Sequence, residues 1–185
     1  MNVDEAIYGR RSVREYKSEA ITEATIKTLI DAAIHAPSAI NAQPWSFVVI
    51  RDRQMLDRTS TRAKEYMLTT ESDSTPHHLR ASLADPDFQI FHDAPALIVI
   101  AATAQGPWIV EDCALAAQNL MLCAFAHGLG SCWIGFAQRW LNTADGKAEL
   151  GIGEQMVPIA PIIIGRPKEF PSPVSREAPR VRWIG

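Results

Sequence analysis

Between residues 22 and 35 the apolar positions Ile26, Leu29, Ile30, Ala33 and Ile34 recur at steps of three and four. That spacing lays one stripe along an α-helix and predicts an amphipathic helix buried on one side. It breaks off at Ala36-Pro37-Ser38, because proline forces the residue before it out of helical dihedrals. Residues 111–127 behave differently: Ala114, Leu115, Ala117, Leu120, Met121, Leu122, Ala124 and Phe125 leave hardly a polar face. Such a helix is central and enclosed, by its own core or by a second subunit. The Gly128-Leu129-Gly130 step ends it, with glycine supplying a left-handed cap. Short apolar runs at 46–50, 96–102, 131–136 and 157–164 predict four strands, the second of them fully buried. A polar helix is predicted over 52–66, capped by Asp52; a short first helix, capped by Asn2 or Asp4, ends near Gly9. Residues 69–93 read as an irregular polar loop with Pro76, Pro86 and the pair His77-His78. Beyond residue 165, Pro167, Pro171, Pro173 and Pro179 predict an extended C-terminal arm. No repeat and no flexible linker divides these elements, so residues 1–185 read as a single domain with an α/β-type layout.

Composition adds exclusions. With 47% hydrophobic and 21% charged residues the chain is ordinary for a soluble domain. Its longest apolar runs, such as 94–104, fall short of the roughly 20 residues that span a membrane. The start shows no basic stretch followed by an apolar one, so a cytoplasmic protein without a secretory signal is expected. Cys113, Cys123 and Cys132 are odd in number, sit in apolar surroundings and form no C-x-x-C pair. They read as small buried hydrophobes in a reducing compartment and offer no zinc site.

Charge changes the picture more. The net charge is −3, yet Arg10, Arg11, Arg14 and Lys17 crowd the first 17 residues. Arg166, Lys168, Arg176, Arg180 and Arg182 crowd the last 20, and between Glu65 and Gln138 stands only Arg80. A nucleic-acid partner calls for a basic stripe and a basic balance. Cations at the two ends of an acidic chain instead predict, if the fold joins those ends, an anion pocket for one phosphate group.

Three short stretches carry candidate chemistry. RRSVREY, residues 10–16, sets three guanidinium groups around the hydroxyl of Ser12. PSAINAQPW, residues 37–45, is a loop stiffened by two prolines, in which Ser38, Asn41 and Gln43 both donate and accept hydrogen bonds. It suits a ligand edge mixing carbonyls, ring nitrogens and hydroxyls; it equally suits a turn that caps its own backbone. GLGSCWIG, residues 128–135, has neither the lysine nor the spacing of a phosphate loop. It runs helix, glycines, strand, the wrong order for a dinucleotide fingerprint. Gly135 at the strand end permits close approach by a flat ligand. Other reactive-looking residues read as structural. His77 and His78 have no carboxylate at metal-ligand spacing, and Ser131 lacks the G-x-S-x-G setting of a hydrolase. His35 and His127 close helices and Glu111 and Asp112 open one, each complementing the helix dipole.

Taken in order, R-R-S-x-R, PS-x-x-N-x-QPW, GLG-x-CWIG and the closing IGRPK…PSPVSR resemble the nitroreductase family of flavin mononucleotide (FMN)-dependent oxidoreductases, from about residue 5 to about 180. The resemblance implies an α+β fold: a mixed, mostly antiparallel sheet flanked by helices, in an intertwined homodimer with an extended C-terminal arm. It implies two FMN sites at the subunit interface. Arg10 and Ser12 would hold the phosphate, with Arg11 as a further contact, and Arg14 would approach the pyrimidine edge of the ring. Pro37, Ser38, Asn41 and Gln43 would come from the partner chain. Ile134 and Gly135 would line the ring with a backbone N–H near N5. Arg176, with Ser175 and Arg166, would complete the phosphate cradle. The implied reaction is ping-pong, from NADH or NADPH to nitroaromatic or quinone acceptors, with residues 69–93 forming part of a lid. No side-chain base, metal, membrane or nucleic acid is called for. Flavin fragmentation, reductive dehalogenation, or FMN storage or sensing without turnover stay open as alternatives.

Overall fold

The computed structural model describes residues 1–70, 77–103 and 105–185. Asn2 starts helix α1 (Val3–Gly9) with a capping box: its Oδ1 accepts from the Glu5 N–H at 2.8 Å and its own N–H donates to Glu5 Oε2 at 2.9 Å. Thr22 caps α2 (Glu23–Ile34), whose buried Ile26, Leu29 and Ala33 are the predicted stripe. A 3₁₀ turn over Ala39–Asn41 leads into strand β1 (Trp45–Ile50). Asp52 caps α3 (Arg53–Thr70), accepting from the Met55 N–H at 2.7 Å. There follow α4 (His77–Ala84), β2 (Ala96–Ala102), α5 (Ile109–Ala126), β3 (Gly130–Trp133), α6 (Gly135–Leu141), α7 (Ala144–Glu149) and β4 (Val157–Gly165).

The strands pair antiparallel throughout, in the order β1-β2-β4-β3. All seven residues of β2 are buried, so its alternate side chains feed two cores. Leu97 and Val99, with Ile163 of β4, pack among Leu56, Ala63, Trp140 and Leu141 of α3 and α6. Ile98 and Ile100, with Ile162 and Ile164, pack among Leu29, Ala33, Ala117 and Leu120 of α2 and α5. The sheet is therefore the middle of three layers, and each of its larger side chains contributes about 1.5–3 kcal/mol on full burial. Helix α5 is long and apolar enough to cross a membrane by composition. In this fold Cys113, Ala116, Ala117, Leu120 and Ala124 are wholly buried in it, as expected of a central helix.

Two expectations need correction. The apolar run 131–136 is not one strand: β3 stops at Trp133 and α6 opens at Gly135. A short apolar run does not by itself distinguish strand from buried helix, and Ala137, Trp140 and Leu141 form the buried face of α6. Residues 69–93 are not wholly irregular, since α3 runs on to Thr70 and α4 follows. The Lys64 ammonium group, buried at 7% exposure, donates to the carbonyls of Asp85 and Phe88 at 2.9 and 2.7 Å and shapes the turn after α4. Residues 71–76 of the expected lid lie outside the described residues, as do the side chains of His77 and His78. Helix α7 was not expected at all; Thr143 caps it, accepting from the Gly146 N–H at 3.0 Å.

The two ends of the chain do meet. Lys17 N–H donates to Arg166 O at 2.8 Å, and Lys168 N–H donates to Glu15 O at 3.0 Å. Gly165 is where they cross: a Cβ there would lie 2.5 Å from Cδ1 of Tyr16 and 2.7 Å from Cδ of Pro95. Phe170 then rests edge-on against Phe125 of α5, with ring centres 5.2 Å apart. Residues 171–185 are exposed and form no helix or strand.

Candidate functional site

The segment after α1 runs alongside β3. Ser12 forms a parallel bridge with Ser131, and Val13 N–H donates to Ser131 O at 3.0 Å. Val13 and Tyr16 point into the core, where the Tyr16 hydroxyl donates to Val13 O at 2.7 Å. That anchoring leaves Ser12 and Arg14 exposed, with Arg10 and Arg11 half-buried. Arg11 Nη1 donates to the carbonyls of Tyr8 and Arg10, at 2.6 and 2.8 Å. Burial, then the nearby charges of Arg11 and Arg176, hold the Arg10 guanidinium below arginine's usual value. The Nε atoms of both Arg10 and Arg11 are buried without a hydrogen-bond partner. Among the described residues, none of Arg10, Arg11, Arg14 and Arg176 forms an ion pair with a carboxylate. Like charges brought together and partly desolvated are unfavourable by themselves; a multiply charged anion would reverse the sign.

Arg14 stands between two clefts. One, of about 380 Å³, separates residues 12–15 from residues 169–172. The other, of about 270 Å³, places Arg14 opposite Phe88 and His92. Burial first, and then Arg14, hold His92 below its usual value. Cys132 lies behind the cluster, within reach of the Ser12 side chain, and burial pushes its thiol up, so it is not a reactive thiolate.

The 37–43 loop holds its polar groups in an unusual backbone. Ile40, Asn41 and Gln43 have φ of 49°, 57° and 49°, a region that asparagine tolerates and a β-branched residue rarely enters. Gln43 N–H donates to Ser38 Oγ at 3.0 Å, and Gln43 Nε2 donates to Asn41 Oδ1 at 3.1 Å. These bonds leave the Ser38 O–H, the Asn41 amide N–H groups and Gln43 Oε1 for a ligand. Pro37 is exposed at the head of the loop. In β3's extension the Ile134 N–H donates to Pro161 O at 2.8 Å. The next amide is that of Gly135, which opens α6 and, like any first helical amide, has no partner within the helix.

The structure brings Arg11 and Arg176 close enough for their charges to act on Arg10, with Ser12 and Arg14 on the segment that continues from it. It does not bring the 37–43 loop to them within one chain. Gly9 packs on Phe125 near the end of α5, while Ala39 N–H donates to Asp112 Oδ1 near its start. Thirteen positions of helix separate those contacts, about 20 Å at ~1.5 Å per residue. Asp112 was missed as a site residue: sequence reasoning placed it as a dipole charge, whereas it is 4% exposed and holds the loop. The available signal was a lone carboxylate on the inward side of an apolar helix.

Comparison with known proteins bears on this geometry. The model of the nitroreductase family matches residues 7–166. A protein of Methanothermobacter thermautotrophicus, provisionally named an NADH dehydrogenase/NAD(P)H nitroreductase, is 31% identical over 176 residues, covering 92% of this chain and 80% of its own. One of Archaeoglobus fulgidus with the same provisional name is 33% identical over 169 residues, covering 88% and 84%. A crystal structure of a nitroreductase with bound FMN from Bacteroides fragilis superposes with a TM-score of 0.88 at 23% identity, each chain covered in full. On the strength of the family match and the archaeal relatives, this chain belongs to the nitroreductase family.

Proposed function

We propose that the protein is a homodimeric, cytoplasmic FMN-dependent oxidoreductase. It takes electrons from NADH or NADPH and passes them, in ping-pong alternation, to nitroaromatic or quinone acceptors. The observation that carries this reading is the Arg10–Arg11–Arg176 cluster, with two buried guanidinium Nε atoms that lack partners. A phosphate monoester carries nearly two negative charges on oxygens that match the guanidinium fork, so the residues present fit the FMN phosphate. Ser12 adds a hydroxyl donor beside them. Arg14, on the same segment, would approach the pyrimidine edge, where its charge would favour the electron-rich reduced ring. When bound, FMN supplies the hydride chemistry; the chain binds, orients and tunes it. Ile134, itself buried in the core, and the exposed Gly135 would line the ring, with the Gly135 N–H offered near N5.

The partner chain supplies Pro37, Ser38, Asn41 and Gln43. Two features support this sharing. The loop and the arginine cluster hang from opposite ends of α5. Apolar side chains also stand exposed on α1 (Val3, Ile7), α5 (Val110, Leu115) and the tail (Trp183, Ile184), as at an oligomer interface. The tail then reaches the partner as an arm. Three unpaired cysteines agree with a reducing compartment.

The deciding experiment is to purify the protein, measure flavin absorbance and mix it anaerobically with NADH and with NADPH. Rapid bleaching by either donor, reversed by a nitroaromatic or quinone, is expected. Protein that takes up no FMN refutes the binding site; bound flavin that both donors leave oxidised refutes the reductase and points to storage or sensing.

A further inference from the structure

Among the buried residues of α5 only Asp112 is charged. It is 4% exposed, and its Oδ1 accepts the Ala39 N–H at 2.9 Å across 73 positions of sequence. A carboxylate buried so deeply needs a donor, and here the donor is the first amide of the 3₁₀ turn Ala39–Asn41. Ser38 is the N-cap of that turn but makes no side-chain cap; its Oγ accepts from Gln43 instead. Asp112 thus supplies from another helix the cap that the local sequence withholds. At the far end, Thr103 N–H donates to Pro44 O at 2.7 Å. Between these two anchors the loop's hydrogen bonds, among the described residues, are internal ones. Three residues at positive φ, one of them β-branched, persist only where the surroundings over-determine them.

We propose that Asp112 is a positioning residue for flavin binding: its buried carboxylate clamps Ala39 and so holds Ser38, Asn41 and Gln43 ready for the partner protomer's flavin. This rests on the FMN reading above. Without the clamp the loop samples other conformations, and apparent affinity falls with the fraction that remains competent.

Two variants break the contact from opposite sides. Asp112→Ala removes the acceptor. Ala39→Pro removes the donor at a first helical position, where proline is tolerated, after a Ser38 whose φ of −139° and ψ of 154° already suit a following proline. FMN affinity is read by fluorescence titration, and amide hydrogen exchange is read over residues 38–43 and over β2 and β4. Each variant is expected to weaken FMN binding about tenfold, the order of one charged hydrogen bond, and to speed exchange in the loop while the strands stay protected. The double variant is expected to be no weaker than either single one. Wild-type FMN affinity in Ala39→Pro or in a folded Asp112→Ala overturns the proposal, as does weakened affinity with unchanged loop exchange. Wild-type protein that binds no FMN overturns the underlying reading, and this one with it.

Discussion

Replacing Arg10 by alanine should weaken flavin binding without destabilising the free protein. In the free protein the Arg10 guanidinium is half-buried beside Arg11 and Arg176, with an Nε that bonds to nothing. Deleting it relieves repulsion and desolvation, so the thermal midpoint of the free protein should hold or rise. In the proposed site the same side chain would make charged hydrogen bonds to the FMN phosphate. Losing them costs about 1.5–3 kcal/mol, or roughly 10- to 150-fold in Kd, with partial exposure favouring the lower end. Titration by flavin-fluorescence quenching reads this directly, and riboflavin, which lacks the phosphate, is the control. Arg10→Ala should weaken FMN and leave riboflavin unchanged. Arg10→Lys should fall between, keeping the charge and losing the two-pronged geometry. Equal loss for both ligands, or an unchanged FMN Kd, would refute the placement of the phosphate at Arg10.

Three further outcomes are expected. Gly165→Ala forces a Cβ to within 2.5 Å of the Tyr16 ring and 2.7 Å of Pro95; urea denaturation should show a loss of about 1–3 kcal/mol. Lys64→Met leaves the Asp85 and Phe88 carbonyls without their buried ammonium donor, and should cost a similar amount; a midpoint unchanged in urea would refute that role. Burial and Arg14 depress His92, so it takes up its proton at lower pH in the folded protein than in the unfolded chain, which titrates near about pH 6.5. Its contribution is therefore present above that pH and lost as pH falls through the folded-state value. Asp93 beside it is held by Arg53. Thermal midpoints followed from neutral to mildly acid pH should fall less steeply in His92→Gln than in the wild type.

Elements with a sustained period or a clear cap were legible in the sequence: α2 through Ile26, Leu29 and Ala33, α1 through Asn2, α3 through Asp52. The all-buried β2 was legible because seven apolar residues in a row leave no solvent face. The run 131–136 misled because its apolarity serves a strand and then a helix, and only the bond from Ile134 to Pro161 shows where one ends. The meeting of the termini was suggested by charge alone, but the close fit of Gly165 against Tyr16 depends on the pairing of Tyr16 with Pro167, 151 positions away in the chain. Ser38, Asn41 and Gln43 announced a polar loop; its left-handed backbone and its tether to Asp112 depend on tertiary contacts that no local pattern encodes.

The placement of Gly9 and Ala39 at opposite ends of α5 has a genetic consequence. If each flavin takes its arginines from one chain and its loop from the other, damage to the two regions falls on different sites when the chains are mixed. A dimer of one Arg10→Ala chain and one Asn41→Ala chain carries one doubly damaged site and one assembled wholly from intact parts. The two defective proteins should therefore complement one another within one cell, and equal co-expression with random pairing should restore about a quarter of the high-affinity flavin sites.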